Sequence, residues 1–206
     1  MPAIGGSSFH TLLTVSVPSG GWALRSLPSI TNTAFSAGWA VLAADVPKVD
    51  QNDDTVQFGW AMLSSVLEQF HRTWPQSKQW PVACAGFSGG AKRSATVAAA
   101  MVKEGYQVIG ISMGGCNEDR ATLGLQLYQP GDHFKLVPIF LSNGTGDPIA
   151  NPTHSATVAE SMRRSGFPAR SDWKATMVDT ARTTSSSPRR FSGSGRSHRP
   201  TRQAEC

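Results

Sequence analysis

The chain has 206 residues, enough for one domain with a substantial core; it is 39% hydrophobic and 16% charged, the balance of a globular protein with a lightly charged surface. It holds no apolar run of the 18 or so residues that a membrane span needs, and three cysteines, Cys84, Cys116 and Cys206, are too few and too scattered for a disulfide scaffold or a zinc cluster. The net charge of +5 is concentrated at one end: residues 1–170 carry 12 Lys+Arg against 11 Asp+Glu, and residues 171–206 carry 7 against 3. No basic stripe interleaved with aromatics runs through the body, so a nucleic-acid interface is not expected.

The opening Met1–Gly6 lacks a basic start followed by an apolar block, so no signal peptide is expected and the default compartment is cytoplasmic. Thr11–Val17 is β-rich and predicts a strand, closed by a Pro-Ser-Gly-Gly loop. Ile30–Ala37 reads as a short helix or an irregular link. Gly38–Asp45 predicts a second buried strand, followed by a surface loop holding Pro47 and several acids, in which Asp53 or Asp54 could cap the next helix. From Thr55 to Trp74 apolar residues recur at helical spacing through Phe58, Met62, Leu63, Val66, Leu67 and Phe70. Pro75 and Pro81 bracket a connector.

Val82–Ala85 predicts a strand, Gly86-Phe87-Ser88-Gly89-Gly90 a tight turn and Ala91–Glu104 an Ala-rich helix. Gln107–Ile111 and Leu136–Leu141 predict two more strands, with any helix between them falling within 119–128. Asn151-Pro152-Thr153 opens a last helix that runs to about Arg164 and stops at Gly166. Strands alternating with helices predict an α/β fold with a mostly parallel sheet, helices on both faces and ligands at the carboxyl ends of the strands.

The turn at 86–90 fits G-x-S-x-G between a strand and a helix, the setting of a nucleophile elbow. Flanking glycines let the chain bend sharply and hold Ser88 at the apex, where the first helix amides point at whatever it attacks. A second match, Gly110-Ile111-Ser112-Met113-Gly114, is followed by a loop-like Gly115–Arg120, so any later helix begins too far on to abut Ser112. Ser88 is therefore preferred, against the plain alternative that both are strand-end loops. Cys84 reads as a small core residue, and the core is the better home for Trp22, Trp39 and Trp60.

From Thr11 to Arg170 the chain resembles the α/β-hydrolase superfamily, in particular its esterase and dienelactone-hydrolase-like members. The resemblance rests on G-F-S-G-G after a strand, on G-W-A-V-L-A-A-D before it and on L-V-P-I-F-L-S-N-G-T-G-D-P-I-A after it. It implies a serine hydrolase acting on an ester or related acyl bond of a small-molecule substrate, with Ser88 as nucleophile and Asp147 as the acid of a Ser–Asp–His triad, and with no metal or organic cofactor. Asp147 could instead simply cap its turn before Pro148. Of the two oxyanion amides, one would come from Gly89 and the other from the loop near Gly20, Gly21 or Trp22, with Gly21 taken as the donor; the family's usual His-Gly is replaced there by Val17-Pro18-Ser19-Gly20-Gly21.

The general base is harder to place. After Asp147 stand only His154, in the first turn of the last helix, and His198, in a Ser/Gly/Arg stretch with no strand before it. Residues 180–206 hold almost no large apolar side chains, so 171–206 is expected to be a disordered tail and the last strand to be missing. A reading-frame slip accounts for this. Read from the third base of each codon, Asp172–Thr180 is compatible with L-E-S-Y-D-G-G-H, which resembles the family's last strand and histidine loop. Three of those letters are forced and the others are chosen among allowed options. The base is thus His198, His154 or absent. If it is absent, the competing reading is a catalytically inactive hydrolase fold that serves binding. Substrate identity and oligomeric state are not legible.

Overall fold

The computed structural model describes residues 11–16, 31–44 and 56–168. The loop with Gly20, Gly21 and Trp22, the expected cap at Asp53 or Asp54, the boundary at 170 and the tail at 171–206 lie outside the described residues. Five strands form one parallel sheet: β1 (Thr11–Ser16), β2 (Trp39–Ala44), β3 (Val82–Phe87), β4 (Val108–Gly114) and β5 (Ile139–Ser142), in the order β2-β1-β3-β4-β5. The helices are α1 (31–36), α2 (Val56–Thr73), α3 (Gly89–Lys103), α4 (Arg120–Tyr128) and α5 (Pro152–Arg164). Among the described residues no helix is long and apolar enough to cross a membrane.

Parallel strands need crossovers, and right-handed crossovers sort the helices by direction of travel. From β2 onward the chain moves toward β5, so α2, α3 and α4 share one face, where α3 packs on β1, β3 and β4 and lies between α2 and α4. The step from β1 back to β2 runs the other way and puts α1 on the opposite face. The α3 helix is the hub. Gly90 through Val102 is buried along its whole length apart from Lys92, which its many alanines allow by keeping the helix thin. A Cβ added to Gly124 of α4 would come within 2.8 Å of Ala99 Cβ, which shows how closely the two helices cross.

Two expected elements are corrected. The β4 strand runs three residues beyond Ile111, to Gly114, because Ser112 and Met113 pair with Ala85 and Gly86 of β3. The strand expected over Leu136–Leu141 begins three residues later, as β5 (Ile139–Ser142), because Leu136 closes a 3-10 turn, Asp132–Leu136, whose Phe134 is fully buried.

At the amino edge of the sheet His71 is buried between Ser77 and Tyr106, with Nδ1 2.7 Å from Ser77 Oγ and Nε2 3.1 Å from Tyr106 Oη. Ser77 Oγ donates to the Trp74 carbonyl, so it accepts from His71 Nδ1–H, and Nε2 accepts from the tyrosine. Burial, helped by nearby Lys78, holds the His71 pKa below 6.5. Between that lowered value and 6.5 the unfolded chain binds a proton that the folded chain refuses, so stability is present at neutral pH and falls as pH drops below 6.5. Denaturant midpoints between pH 7 and 5 should fall more steeply in the wild type than in His71→Gln.

Candidate active site

Ser88 sits between the last residue of β3 and the first of α3, at φ +54° and ψ −122°. Few non-glycine residues adopt positive φ, and the strain is held in place from both sides. The Ser88 amide donates to the Gly114 carbonyl (2.8 Å), and its carbonyl accepts from the Ala91 and Lys92 amides (3.0 and 3.2 Å). Ser88 is exposed, and its hydroxyl makes no hydrogen bond among the described residues. Gly89 is the first residue of α3, where backbone N–H groups have no intrahelical acceptor. The bend requires glycine at position 86, since a Cβ there would fall 2.2 Å from the Gly90 carbonyl oxygen.

Ser112, by contrast, lies within β4, opposite Ala85 on one side and Phe140 on the other. The second G-x-S-x-G is therefore strand, not turn.

Asp147 follows β5 at the same carboxyl edge, with only β4 between its strand and that of Ser88. Two strand spacings are about 10 Å, a gap that one imidazole could span. Asp147 Oδ1 accepts from the Ile149 and Ala150 amides (2.8 and 2.9 Å), so the turn-capping role is real. Its Oδ2 accepts nothing among the described residues. A neighbouring asparagine, missed in the sequence, holds this corner. Buried Asn143 accepts from the Cys116 amide (3.0 Å) and donates to the carbonyls of Cys116 (3.0 Å) and Asn151 (3.1 Å). It thus ties the loop after β4 to the loop after β5 and to the start of α5. Asn143→Ala would strand the buried amide and carbonyl of Cys116, at about 1–3 kcal/mol each. A loss of about 2–4 kcal/mol in urea unfolding is expected.

Glu118, in the loop after β4, pairs with Lys92 of α3 and with Arg120 of α4. The Lys92 hydrogen bond, with Arg120 beside it, holds the Glu118 carboxyl below the ordinary carboxylate range. These pairs brace the first turn of α3 against α4. Cys116 and Cys84 are fully buried, and burial raises the Cys84 thiol to about 11, so it is an inert core group as expected.

His154 does not reach toward Ser88. Its Nδ1 accepts from the Asn151 amide (3.3 Å) while the Asn151 side chain accepts from the His154 amide, closing a capping box on α5. His71 and His133 belong to segments that precede strands and so lie toward the amino edge. His198 and Gly21 lie outside the described residues.

No family model matches the chain, and no curated protein does. Solved structures do. An esterase of Pyrococcus furiosus superposes with a TM-score of 0.54 over 77% of this chain and 70% of that one, at 15% identity. A lipase/esterase of Lactobacillus plantarum gives 0.55 over 80% and 76%, at 14% identity. A monoacylglycerol lipase of Paleococcus ferrophilus gives 0.52 over 75% and 81%, at 14% identity. These are esterases and lipases of the α/β-hydrolase superfamily. At such identities the likeness is one of architecture, and it agrees with the strand order and the strained turn: the chain has the α/β-hydrolase fold.

Proposed function

We propose that the chain is built as a serine hydrolase that opens an ester or related acyl bond through a covalent acyl-enzyme on Ser88. The observation that carries this reading is the positive-φ serine between β3 and α3, with Asp147 on the same rim one strand beyond its neighbour. A serine in that posture presents its hydroxyl to solvent at a helix N-terminus, which stabilises negative charge developing on the carbonyl oxygen. Gly89 N–H would be one oxyanion donor, and Gly21 the second. Asp147, through Oδ2, would orient a histidine and stabilise it once charged. Carboxylic esters are the bond class favoured, in keeping with the esterases and lipases that share the fold. The substrate would be a small molecule bound without metal or organic cofactor, in the cytoplasm, with neither nucleic acid nor membrane as partner.

We take the base to have been displaced with the frame near residue 172, so that this chain keeps the nucleophile and the acid but has lost the proton acceptor. Without that acceptor turnover is slow, because a neutral serine hydroxyl is a poor nucleophile. The test is covalent capture in a chain whose frame is restored downstream of residue 172, where a fluorophosphonate should attach to Ser88, identified by peptide mass, and do so far faster than in the present chain. An unlabelled Ser88 would instead favour a hydrolase fold kept for binding.

A further inference from the structure

We infer that the exposed ring of Phe87 is the floor on which the base of this site rests, and that the rim between Ser88 and Asp147 takes a free imidazole from solution. The inference rests on the hydrolase reading above. Phe87 ends β3, immediately before the nucleophile, and is 52% exposed. Its ring lies over the end of β4. A Cβ on Gly114 would come within 3.0 Å of Phe87 Cδ2, and one on Gly115 within 2.9 Å of Cζ. Two consecutive residues without side chains thus make a slot for one face of the ring. The slot is itself fixed, because the Gly114 carbonyl accepts from the Ser88 amide and the Gly115 amide donates to the Ser142 carbonyl, both at 2.8 Å.

The position of the ring matters as much as its exposure. The strand beneath it is the one that separates Ser88 from Asp147. The ring thus sits at the end of the one strand between those of Ser88 and Asp147, whose separation of about 10 Å a proton carrier must bridge. At the far side Asp147 offers Oδ2, since Oδ1 already holds two backbone amides. Among the described residues no histidine side chain enters this gap, because His154 is engaged in its capping box. A planar, partly apolar ring with one N–H for a carboxylate and one lone pair for a hydroxyl matches all three surfaces. Imidazole has that chemistry, and its contact with the phenyl ring is the aromatic pairing that Phe87 is placed to supply.

In the step itself the imidazole lone pair takes the Ser88 hydroxyl proton as Oγ bonds to the carbonyl carbon of p-nitrophenyl acetate. p-Nitrophenolate then leaves with the bonding electron pair. The imidazolium releases that proton to solvent; imidazole then takes a proton from water as the water oxygen attacks the acetyl-serine carbonyl and returns it to the departing Ser88 Oγ, and the acetic acid formed ionises to acetate. Phe87 touches none of the reacting atoms and acts as a positioning residue.

The experiment measures p-nitrophenyl acetate hydrolysis by the full chain against imidazole concentration, with Ser88→Ala protein as the background for imidazole's own reaction. A saturable, Ser88-dependent increase is expected. Phe87→Ala should raise the half-saturating imidazole concentration by about three- to tenfold with little change in the rate at saturation, and Phe87→Tyr should restore it. A purely structural role would lower the rate equally at all imidazole concentrations. A rise that is only linear and equal in wild type and Ser88→Ala overturns the inference, as does an unchanged half-saturation in Phe87→Ala. Fluorophosphonate capture by the frame-restored chain separates the two levels: labelled Ser88 there without imidazole rescue of the present chain leaves the nucleophile standing and removes the imidazole site, whereas neither labelling nor rescue removes both.

Discussion

In a chain whose frame is restored downstream of residue 172, Ser88→Ala is expected to abolish fluorophosphonate capture, from about one label per chain to none, while Ser112→Ala leaves it intact. The two serines sit in the same five-letter pattern and differ only in backbone. Ser88 is at φ +54° with a helix starting at the next residue, and its hydroxyl is exposed. Ser112 is flanked on both sides by paired strands, and no helix begins within reach of it. Capture needs the phosphoryl oxygen to meet amide donors as the bond forms, and the first turn of α3 supplies such a donor beside Ser88 and none beside Ser112. In a chain whose frame is restored downstream of residue 172 the same substitution should lower ester turnover on the order of 10⁴-fold or more, because nucleophile and base act as a unit. Labelling that survives in Ser88→Ala, or that vanishes in Ser112→Ala, would end the hydrolase reading.

The sequence carried this site because its determinants are local. A strand, three glycines, a serine and an Ala-rich helix lie within 82–103, and each obeys a backbone rule that needs no distant partner. The caps were legible for the same reason: Asn151 before Pro152, and Gly166 at φ +89° after α5. What the sequence hid depends on neighbours. Leu136 looks like a strand residue beside Val137 and Ile139, yet it ends a 3-10 turn because Phe134 is drawn fully into the core against Phe167. Ser112 and Met113 look like the start of a loop, but β3 pairs with them. Asn143 is an ordinary loop residue until the loops after β4 and β5 are brought together, and Phe87 is an unspecified letter in the motif until Gly114 and Gly115 are seen beneath it. Hydrophobic period marks which face is inside; it says nothing of which loops meet at the sheet edge.

Gly86→Ala tests the geometry from the other direction, without touching a reacting atom. Gly86 is not among the glycines at positive φ, so alanine suits its backbone and any cost is steric. That cost should be large. The new methyl would fall 2.2 Å from the Gly90 oxygen, 2.3 Å from the Gly90 carbon and 2.7 Å from the Ala91 nitrogen. All three are backbone atoms of the first turn of α3, buried between sheet and helices, and they cannot swing aside as a side-chain tip could. Either α3 lifts from β3 or the turn opens, and overpacking of this kind costs about 3 kcal/mol or more. For a chain of this size that corresponds to a drop in Tm of roughly 6–12 °C. Gly110→Ala is the matched control, since its Cβ would meet only the Pro138 oxygen, at 3.8 Å, and strand propensity favours alanine. Thermal melts of the two variants should therefore separate widely, and fluorophosphonate labelling of Gly86→Ala should slow even below its melting temperature, because the hydroxyl and the Gly89 amide no longer share one fixed turn. If Gly86→Ala instead melts within a degree or two of wild type and labels at the same rate, the helix does not start hard against β3, and the strain at Ser88 has another source.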